Sequence, residues 1–268
     1  MVWCGNSKKL IILSGVDDLV IYSTDTNFLT ERINSHKQFS KNDINEWILP
    51  HIQLENGTKF LDIGCGTGEQ LIRIAKKYPM THCMGIDISQ NSLKHIENFA
   101  QKYSISNIKT KFVDIDNISV GIGDKKFDVI ISCFALYYSQ NIPKLISSIK
   151  QHLNYDGKFF VCGPVEGNNK ELVEFQLNID GTTKKYGPFI MTDTILPEIQ
   201  KFFSNVALDY FYNPISFPDP SSLFNYWKSY ILYEPKIEKQ FLEKIKKYFL
   251  KHKKFVTTKK VMGITVSN

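Results

Sequence analysis

Phe60-Leu61-Asp62-Ile63-Gly64-Cys65-Gly66-Thr67-Gly68-Glu69-Gln70 opens with a short apolar run, interrupts it with one acid, and then places glycine at every second position. Leu71-Ile72-Arg73-Ile74-Ala75 follows with apolar residues at helical spacing. The order is strand, tight turn, helix. Glycine suits a turn in which the backbone bends sharply and lies against a ligand with no Cβ between them. The free N–H groups of the following helix point back at the turn, an arrangement that favours a carboxylate or phosphate.

The spacing separates this turn from two better-known glycine loops. Dinucleotide binding needs G-x-G-x-x-G, whereas Gly64, Gly66 and Gly68 give G-x-G-x-G and the remaining position is Glu69. A P-loop needs Gly-Lys-Ser/Thr, and no lysine follows here. Asp62 sits two residues before the first glycine, where an acid repels pyrophosphate and suits a cation. S-adenosylmethionine carries a sulfonium, an ammonium and a carboxylate. The turn allows close approach of its methionyl part, with Asp62 near the ammonium.

Leu61-Asp62-Ile63-Gly64-Cys65-Gly66-Thr67-Gly68 closely resembles the first motif of class I S-adenosylmethionine-dependent methyltransferases. The resemblance implies a Rossmann-like α/β fold: a seven-stranded, mostly parallel sheet with helices on both faces and an antiparallel last strand. It assigns residues 1–57 to an N-terminal arm and cap helix and residues 58–268 to the methyltransferase domain. It also implies a helical acceptor-side insertion between strands six and seven, near residues 214–255. The motif-specific part runs from residue 58 to residue 164.

Working outward from the turn, Cys83-Met84-Gly85-Ile86-Asp87 reads as a second strand ending in an acid, 23 residues after Gly64. That is the distance at which such a fold delivers a carboxylate to a ribose, and one carboxylate accepts from both hydroxyls. Ser89 is the better N-cap for the helix that begins near Gln90. Lys111–Asp116 reads as a third strand. By the resemblance, Asp114 receives the adenine amino group and Ile115 packs on the ring, with Asp116 as the alternative acid. Phe127–Ser132 is almost wholly apolar, as a central parallel strand should be. Cys133-Phe134-Ala135-Leu136-Tyr137-Tyr138 follows at its C-terminal end, where crevices hold ligands. A helix over Ile142–Leu153, a turn at Asp156-Gly157 and a fifth strand at Lys158–Cys162 complete the regular part.

The expected cofactor contacts are therefore Asp62, Gly64, Cys65, Gly66, Thr67, Gly68 and Gln70 at the turn, Asp87, Ile88 and Ser89 at the ribose, Asp114 and Ile115 at the adenine, and Cys133. Residues 29–51 show helical spacing before the first strand. In this family such a helix often covers the cofactor, and Lys37, Phe39 and Ser40 are the candidates for that cover; packing is the other reading of Phe39. Leu10–Leu13 and Leu19–Tyr22 are short strands or an irregular arm.

Methyl transfer chiefly requires an acceptor lone pair held in line with the sulfonium–methyl bond. A base is needed only for a hydroxyl or a protonated amine. Family members often have histidine where this chain has Tyr137, which removes the most obvious base. Tyr137, Tyr138 and Glu166 are candidates, and each also reads as a wall residue. After the fifth strand, Glu171–Ile179 and Thr194–Phe203 read as helices, and Val206–Phe211 and Thr258–Val266 as the last two strands. In the insertion, Phe224, Trp227 and Ile231 form a packing stripe. Tyr226, Tyr230 and Tyr233 repeat beside it, either lining an acceptor pocket or packing as well.

The chain has 268 residues, 43 % hydrophobic and 22 % charged, which fits an ordinary globular protein. No apolar run reaches membrane-spanning length, and Leu10–Leu13 is too short for a signal peptide before Asp17-Asp18 ends it. Five cysteines (Cys4, Cys65, Cys83, Cys133 and Cys162) have no C-x-x-C spacing, so free buried thiols and a cytoplasmic location are expected, with no metal centre. The net charge of +6 is localised. Residues 236–260 hold ten lysines against two glutamates, leaving the remainder slightly acidic. That stretch alternates lysine with Ile237, Phe241, Ile245, Tyr248 and Phe249, an amphipathic helix with a solvated lysine face, so nucleic acid is not the expected partner. Methyltransferases acting on exocyclic base amines carry Asn/Asp-Pro-Pro-Tyr/Phe after the fourth strand, and Ser132-Cys133-Phe134-Ala135 departs from it. The expectation is an S-adenosylmethionine-dependent methyltransferase with a small-molecule acceptor (hydroxyl, carboxylate or amine; a sugar or secondary metabolite among them). RNA or protein acceptors, and a non-catalytic cofactor-binding module acting through a partner, are the alternatives.

Overall fold

The computed structural model describes residues 9–12, 19–22, 26–180, 189–230 and 233–267. Cys4 and Ile231 lie outside these residues. The elements are, in order, β1 (Lys9–Ile12), β2 (Leu19–Tyr22), α1 (Thr26–Phe39), α2 (Ile44–Ile48), β3 (Lys59–Ile63), α3 (Glu69–Lys77), β4 (His82–Asp87), α4 (Gln90–Lys102), β5 (Ile108–Phe112), α5 (Ile118–Ile122), β6 (Phe127–Cys133), α6 (Ile142–His152), β7 (Leu153–Pro164), α7 (Lys170–Asp180), α8 (Leu196–Phe202), β8 (Asn205–Phe217), α9 (Pro220–Ser229), α10 (Glu238–Phe249) and β9 (Phe255–Ser267). β1 and β2 pair antiparallel, so the expected short strands of the arm form a hairpin.

Seven strands make the main sheet in the order β5-β4-β3-β6-β7-β9-β8. β3 runs parallel to β4 and β6, β4 to β5, and β6 to β7. β9 lies antiparallel against β7, from Pro164 opposite Val261 to Lys158 opposite Ser267. This is the Rossmann-like arrangement with an antiparallel last strand, and α9 and α10 lie between the sixth and seventh strands of the sheet as expected.

The chain divides into two compact units. The first comprises Met1–Asp43, Glu166–Gly187 and Tyr212–Lys260; the second comprises Ile44–Val165, Pro188–Phe211 and Val261–Asn268. Residue 57, the boundary read from the sequence, falls inside the second unit.

In the second unit, strand alternation explains both cores. Leu61, Ile63, Ile130, Phe159 and Val161 share one face, covered by Ile118, Leu145, Ile146 and Ile199 from α5, α6 and α8. Phe60, Val129, Ile131, Phe160 and Cys162 share the other, covered by Leu71, Ile74, Leu93 and Ile96 from α3 and α4. The central strands are apolar on both faces because both are buried. Ser89 caps α4, its side chain accepting from the Ser92 N–H at 3.3 Å. Ser89→Ala is expected to lower stability by about 1 kcal/mol, read by chemical denaturation.

Several boundaries differ from the sequence reading, and the sixth strand runs on to Phe217 rather than ending at Phe211. The helical spacing of residues 29–51 is broken between α1 and α2. The fifth sheet strand begins at Leu153, and the Asp156-Gly157 turn becomes an irregularity in its register between Leu153 and Lys158. The third strand is a correction of larger consequence. It occupies Ile108–Phe112, not Lys111–Asp116, because Phe112 already pairs with Asp87 at the end of β4. Asp114 therefore lies beyond the strand. Its side chain accepts from the Asp116 N–H at 3.0 Å and caps a short 3-10 turn, Ile115–Asn117.

The first unit is built round Trp227, fully buried and stacked on Phe241 with ring centroids 3.9 Å apart. Its indole N–H donates to Gln176 Oε1 at 2.8 Å, which satisfies the polar tip inside the apolar core. α1 packs on this core through Phe39, 5.4 Å from the ring of Phe217.

Candidate functional site

Four neighbouring parallel strands, β5, β4, β3 and β6, end on the same side of the second unit, and the expected cofactor residues follow their C-terminal ends. Gly64, Gly66 and Gly68 all adopt left-handed backbone, with φ of +71°, +51° and +84°. At Gly64 the need for glycine is double, because a Cβ there would stand 2.2 Å from the Cβ of Ala135. The turn is therefore pressed against the segment after β6.

Asp87, at the end of β4, fastens the turn. Its Oδ2 accepts from the Gly66 N–H at 2.8 Å, and its Oδ1 accepts from the Ser89 N–H at 2.8 Å. Each carboxylate oxygen has a second lone pair to offer to a ribose hydroxyl. Burial pushes its carboxyl upward, while the N–H groups of Ser89, Gly66 and Ile88 pull it down.

Asp62 differs in having no such support. It is 1 % exposed, and its Oδ2 has no hydrogen-bond partner. Burial first, and the neighbouring Asp87 second, push its carboxyl from the usual carboxylate range up to about 8. An orphaned buried acid is costly, and a native structure that keeps one has a use for it. A cationic group brought against Asp62 would satisfy the oxygen and favour its ionised form. The residues present thus fit the ammonium-bearing methionyl part of S-adenosylmethionine.

The remaining expected residues are placed as follows. Gln70, in the first turn of α3, donates to Asn45 Oδ1 at 2.9 Å. Asn45, on α2, is buried, and nothing in the sequence singled it out. Thr67, in the glycine turn, and Ile88, next to Asp87 in the chain, are half-buried; Cys65 is buried. Asp116, the alternative adenine acid, is engaged elsewhere: it accepts from the Ser139 hydroxyl and, at 2.9 Å, from the Gln140 N–H, and so ties down the segment after β6. Asp114 and Ile115 are half-buried past β5.

At the end of β6, Phe134 has φ of +61°, an uncommon conformation for a bulky residue, held by its N–H donating to Cys162 O at 2.9 Å. No sequence signal marks it. Tyr137 and Tyr138 follow, both half-buried, with ring centroids 4.7 Å apart. The thiols are poor nucleophiles. Burial raises Cys65 well above its ordinary value, and burial with Asp62 pushes Cys83 up to about 12. A hydrogen bond with Cys162, together with burial, raises Cys133. Among the described residues no group of side chains has the makings of a metal site, and no helix is long and apolar enough to cross a membrane.

Phe39, Ser40, Glu166, Tyr226, Tyr230 and Tyr233 belong to the first unit. Ser40 bridges to Ile215, and Glu166 is exposed. Tyr226 is buried in that unit's core, its ring 5.0 Å from Phe217. Tyr230 is half-buried, and the Tyr233 hydroxyl donates to Glu238.

Comparison with known proteins agrees with the fold. Residues 54–207 match the family model described as "Methyltransferase domain". A relative from Eschscholzia californica, (S)-tetrahydroprotoberberine N-methyltransferase, is 29 % identical over 109 residues, 41 % of this chain and 30 % of its own length. The chain thus spans about a third of the length of such curated relatives. Among solved structures, the YcgJ protein of Bacillus subtilis superposes with a TM-score of 0.55 at 17 % identity, covering 84 % of this chain and 97 % of that one. Coclaurine N-methyltransferase bound to N-methylheliamine and SAH gives 0.54 at 13 % identity, covering 91 % and 82 %. At these identities the structures show the shared fold.

Proposed function

The chain belongs to the methyltransferase-domain family, and from that premise we propose that it transfers the methyl group of S-adenosylmethionine to a small-molecule acceptor. The observation that carries this reading is the buried, partnerless Asp62 oxygen next to a turn of three left-handed glycines. When bound, S-adenosylmethionine supplies an electrophilic methyl carbon on a sulfonium leaving group. The chain's own residues then have separate tasks. Asp62 holds the ammonium. Gly64, Gly66 and Gly68 keep side chains out of the methionyl path. Asp87 accepts from the ribose hydroxyls while its N–H bonds keep the turn in register. Asp114 and Ile115 take the adenine edge and face, leaving Asp116 to its structural role.

Acceptor chemistry follows from the groups at the end of β6. The Cys65, Cys83 and Cys133 thiols are held in their protonated forms, and the segment between β6 and α6, residues 134–141, holds no histidine. A neutral amine or a carboxylate acceptor requires no base and reacts by positioning alone. Tyr137 and Tyr138 are assigned to that positioning. The N-methyltransferases among the relatives are consistent with an amine.

Two measurements test the reading. Labelled S-adenosylmethionine incubated with fractionated extract should place label in the small-molecule fraction; label confined to RNA or protein would overturn the acceptor class. Asp87→Ala should weaken cofactor binding by roughly 1–3 kcal/mol in calorimetry, because it removes a charged acceptor and orphans two backbone donors. Unchanged affinity in a folded variant would move the ribose site elsewhere.

A further inference from the structure

β6 and β7 run parallel, and their N-terminal ends lie at the opposite end of the second unit's sheet from the glycine turn. A cleft of about 430 Å³ opens there, lined by Lys126, Lys150, Leu153, Tyr155, Phe203 and Ser204. All six belong to the second unit. The volume is that of a small-molecule site. β6 is seven residues long. Roughly 20 Å of strand therefore separates the cleft from the segment that follows its C-terminal end. A molecule held in the cleft is not the one that receives the methyl group.

Local structure builds the cleft. α8 ends at Phe202, and Phe203 turns extended, with φ of −126° and ψ of 135°. Its ring is buried, 6.5 Å from the ring of Phe159. Leu153, opposite Phe127 at the start of β7, is buried too. These two side chains make an apolar floor. The irregular part of β7 follows at once, and Tyr155 within it is 89 % exposed, an aromatic face at the wall of the cleft. Ser204, small and exposed, adds little bulk to that wall.

The lining carries two cations and no acid. Lys150 Nζ donates to the Phe202 carbonyl and stands 5.2 Å from the centroid of the Phe203 ring. One N–H is used in this way, and an ammonium has three. Lys126 is exposed and enters no ion pair, hydrogen bond or ring contact among the described residues. Asp128, two positions further on, is committed elsewhere. It accepts from the Lys59 N–H at 2.7 Å and from Asn154 Nδ2. Two ammonium groups at the rim of an aromatic and aliphatic floor complement a molecule with a flat apolar body and one negative charge.

We propose that this cleft binds a small amphipathic anion, an apolar ring bearing one carboxylate or phosphate group. The ring lies on Leu153 and Phe203, and the anionic group pairs with Lys126 and Lys150. The site stands independently of the methyl-transfer reading.

The test titrates the full chain, labelled with nitrogen-15, with benzoate and with phenyl phosphate while backbone amide signals are followed by NMR. Binding should saturate with a Kd of about 1 mM, moving the Leu153 and Ser204 amides and leaving those of Gly64 and Gly66 in place. Saturation by benzoate alone assigns a carboxylate, and by phenyl phosphate alone a phosphate. Benzyl alcohol, an uncharged analogue, should not saturate over the same range. Lys126→Gln and Lys150→Gln should each weaken binding about threefold, and Lys150→Arg should retain it. Ser204→Trp, which fills the cleft, should abolish binding. Lys109→Gln, which alters an exposed lysine on the far edge strand β5, should leave it unchanged. Thermal melts of each variant show that it is folded, and the exposed Lys126 carries the test if Ser204→Trp is not. No saturable response to either anion, equal binding of benzyl alcohol, or an equal loss in Lys109→Gln overturns the site. Calorimetry with S-adenosylmethionine keeps the two readings apart. Cofactor binding without an anion response removes this inference alone, whereas an anion response without cofactor binding removes the methyl-transfer reading alone.

Discussion

Asp62→Asn is expected to give a protein that is more stable than the parent at neutral pH in the absence of cofactor, and that no longer binds S-adenosylmethionine usefully. The two effects share one cause. The Asp62 carboxyl is buried without a partner for Oδ2, and its folded value is raised from 3.8 to about 8. Between those limits the folded chain holds a proton that the unfolded chain has released. Its contribution to stability is therefore fully present below pH 3.8 and is lost as pH rises toward 8. The loss over the whole window is about 6 kcal/mol at most. Asparagine has nearly the same shape and no charge to desolvate. Thermal melts should show the variant gaining on the parent from pH 4 to pH 8, with the difference level above that. Removing one partner of a buried charge pair is strongly unfavourable, so cofactor affinity should fall on the order of a hundredfold or more. A variant that binds the cofactor normally, or whose stability tracks the parent at every pH, would take Asp62 out of the site.

Gly64→Val should have the largest effect on the fold. A Cβ at this position meets the Ala135 Cβ at 2.2 Å and its Cα at 3.7 Å. Alanine has no flexible end to move aside, so the backbone after β6 must shift. The φ of +71° adds strain for a β-branched residue. Overpacking and strain together should cost roughly 3 kcal/mol or more, a drop in Tm of about 10 °C. Gly57→Ala is the comparator, because Gly57 has a φ of +84° with nothing within 4 Å of an added Cβ. It should lose only the conformational part, roughly 1–2 kcal/mol. Equal melting losses in the two variants would mean that the contact with Ala135 is not tight.

The features legible in the sequence are those encoded by local pattern. The first strand, the glycine turn, Asp87 as a strand-end acid and Ser89 as a helix cap all follow from spacing within about thirty residues. The sequence pattern puts β5 three to four residues too late because it is the edge strand of the sheet. Lys109, Lys111 and Phe112 are exposed there, so the apolar alternation that marks a strand is weak. The unusual backbone of Phe134 has no signal at all, since only the surrounding structure holds it. Long-range packing was equally silent. His51 stacks on Phe160 at 4.8 Å and Trp47 donates to Asp209 at 2.8 Å, which sets α2 within the second unit. His36 Nε2 and Lys259 Nζ lie 3.5 Å apart although more than two hundred positions separate them in the chain, and no periodicity reports such a meeting.

The most direct test of the central claim is the pH dependence of S-adenosylmethionine binding, measured by calorimetry in two buffers of different ionisation enthalpy. With Asp62 protonated at low pH and ionised in the complex, binding should be 1:1, should release a proton near pH 6, and should tighten toward pH 8 before levelling. Binding without proton release and with no change across this range, or tight binding of a nicotinamide dinucleotide in place of S-adenosylmethionine, would contradict it.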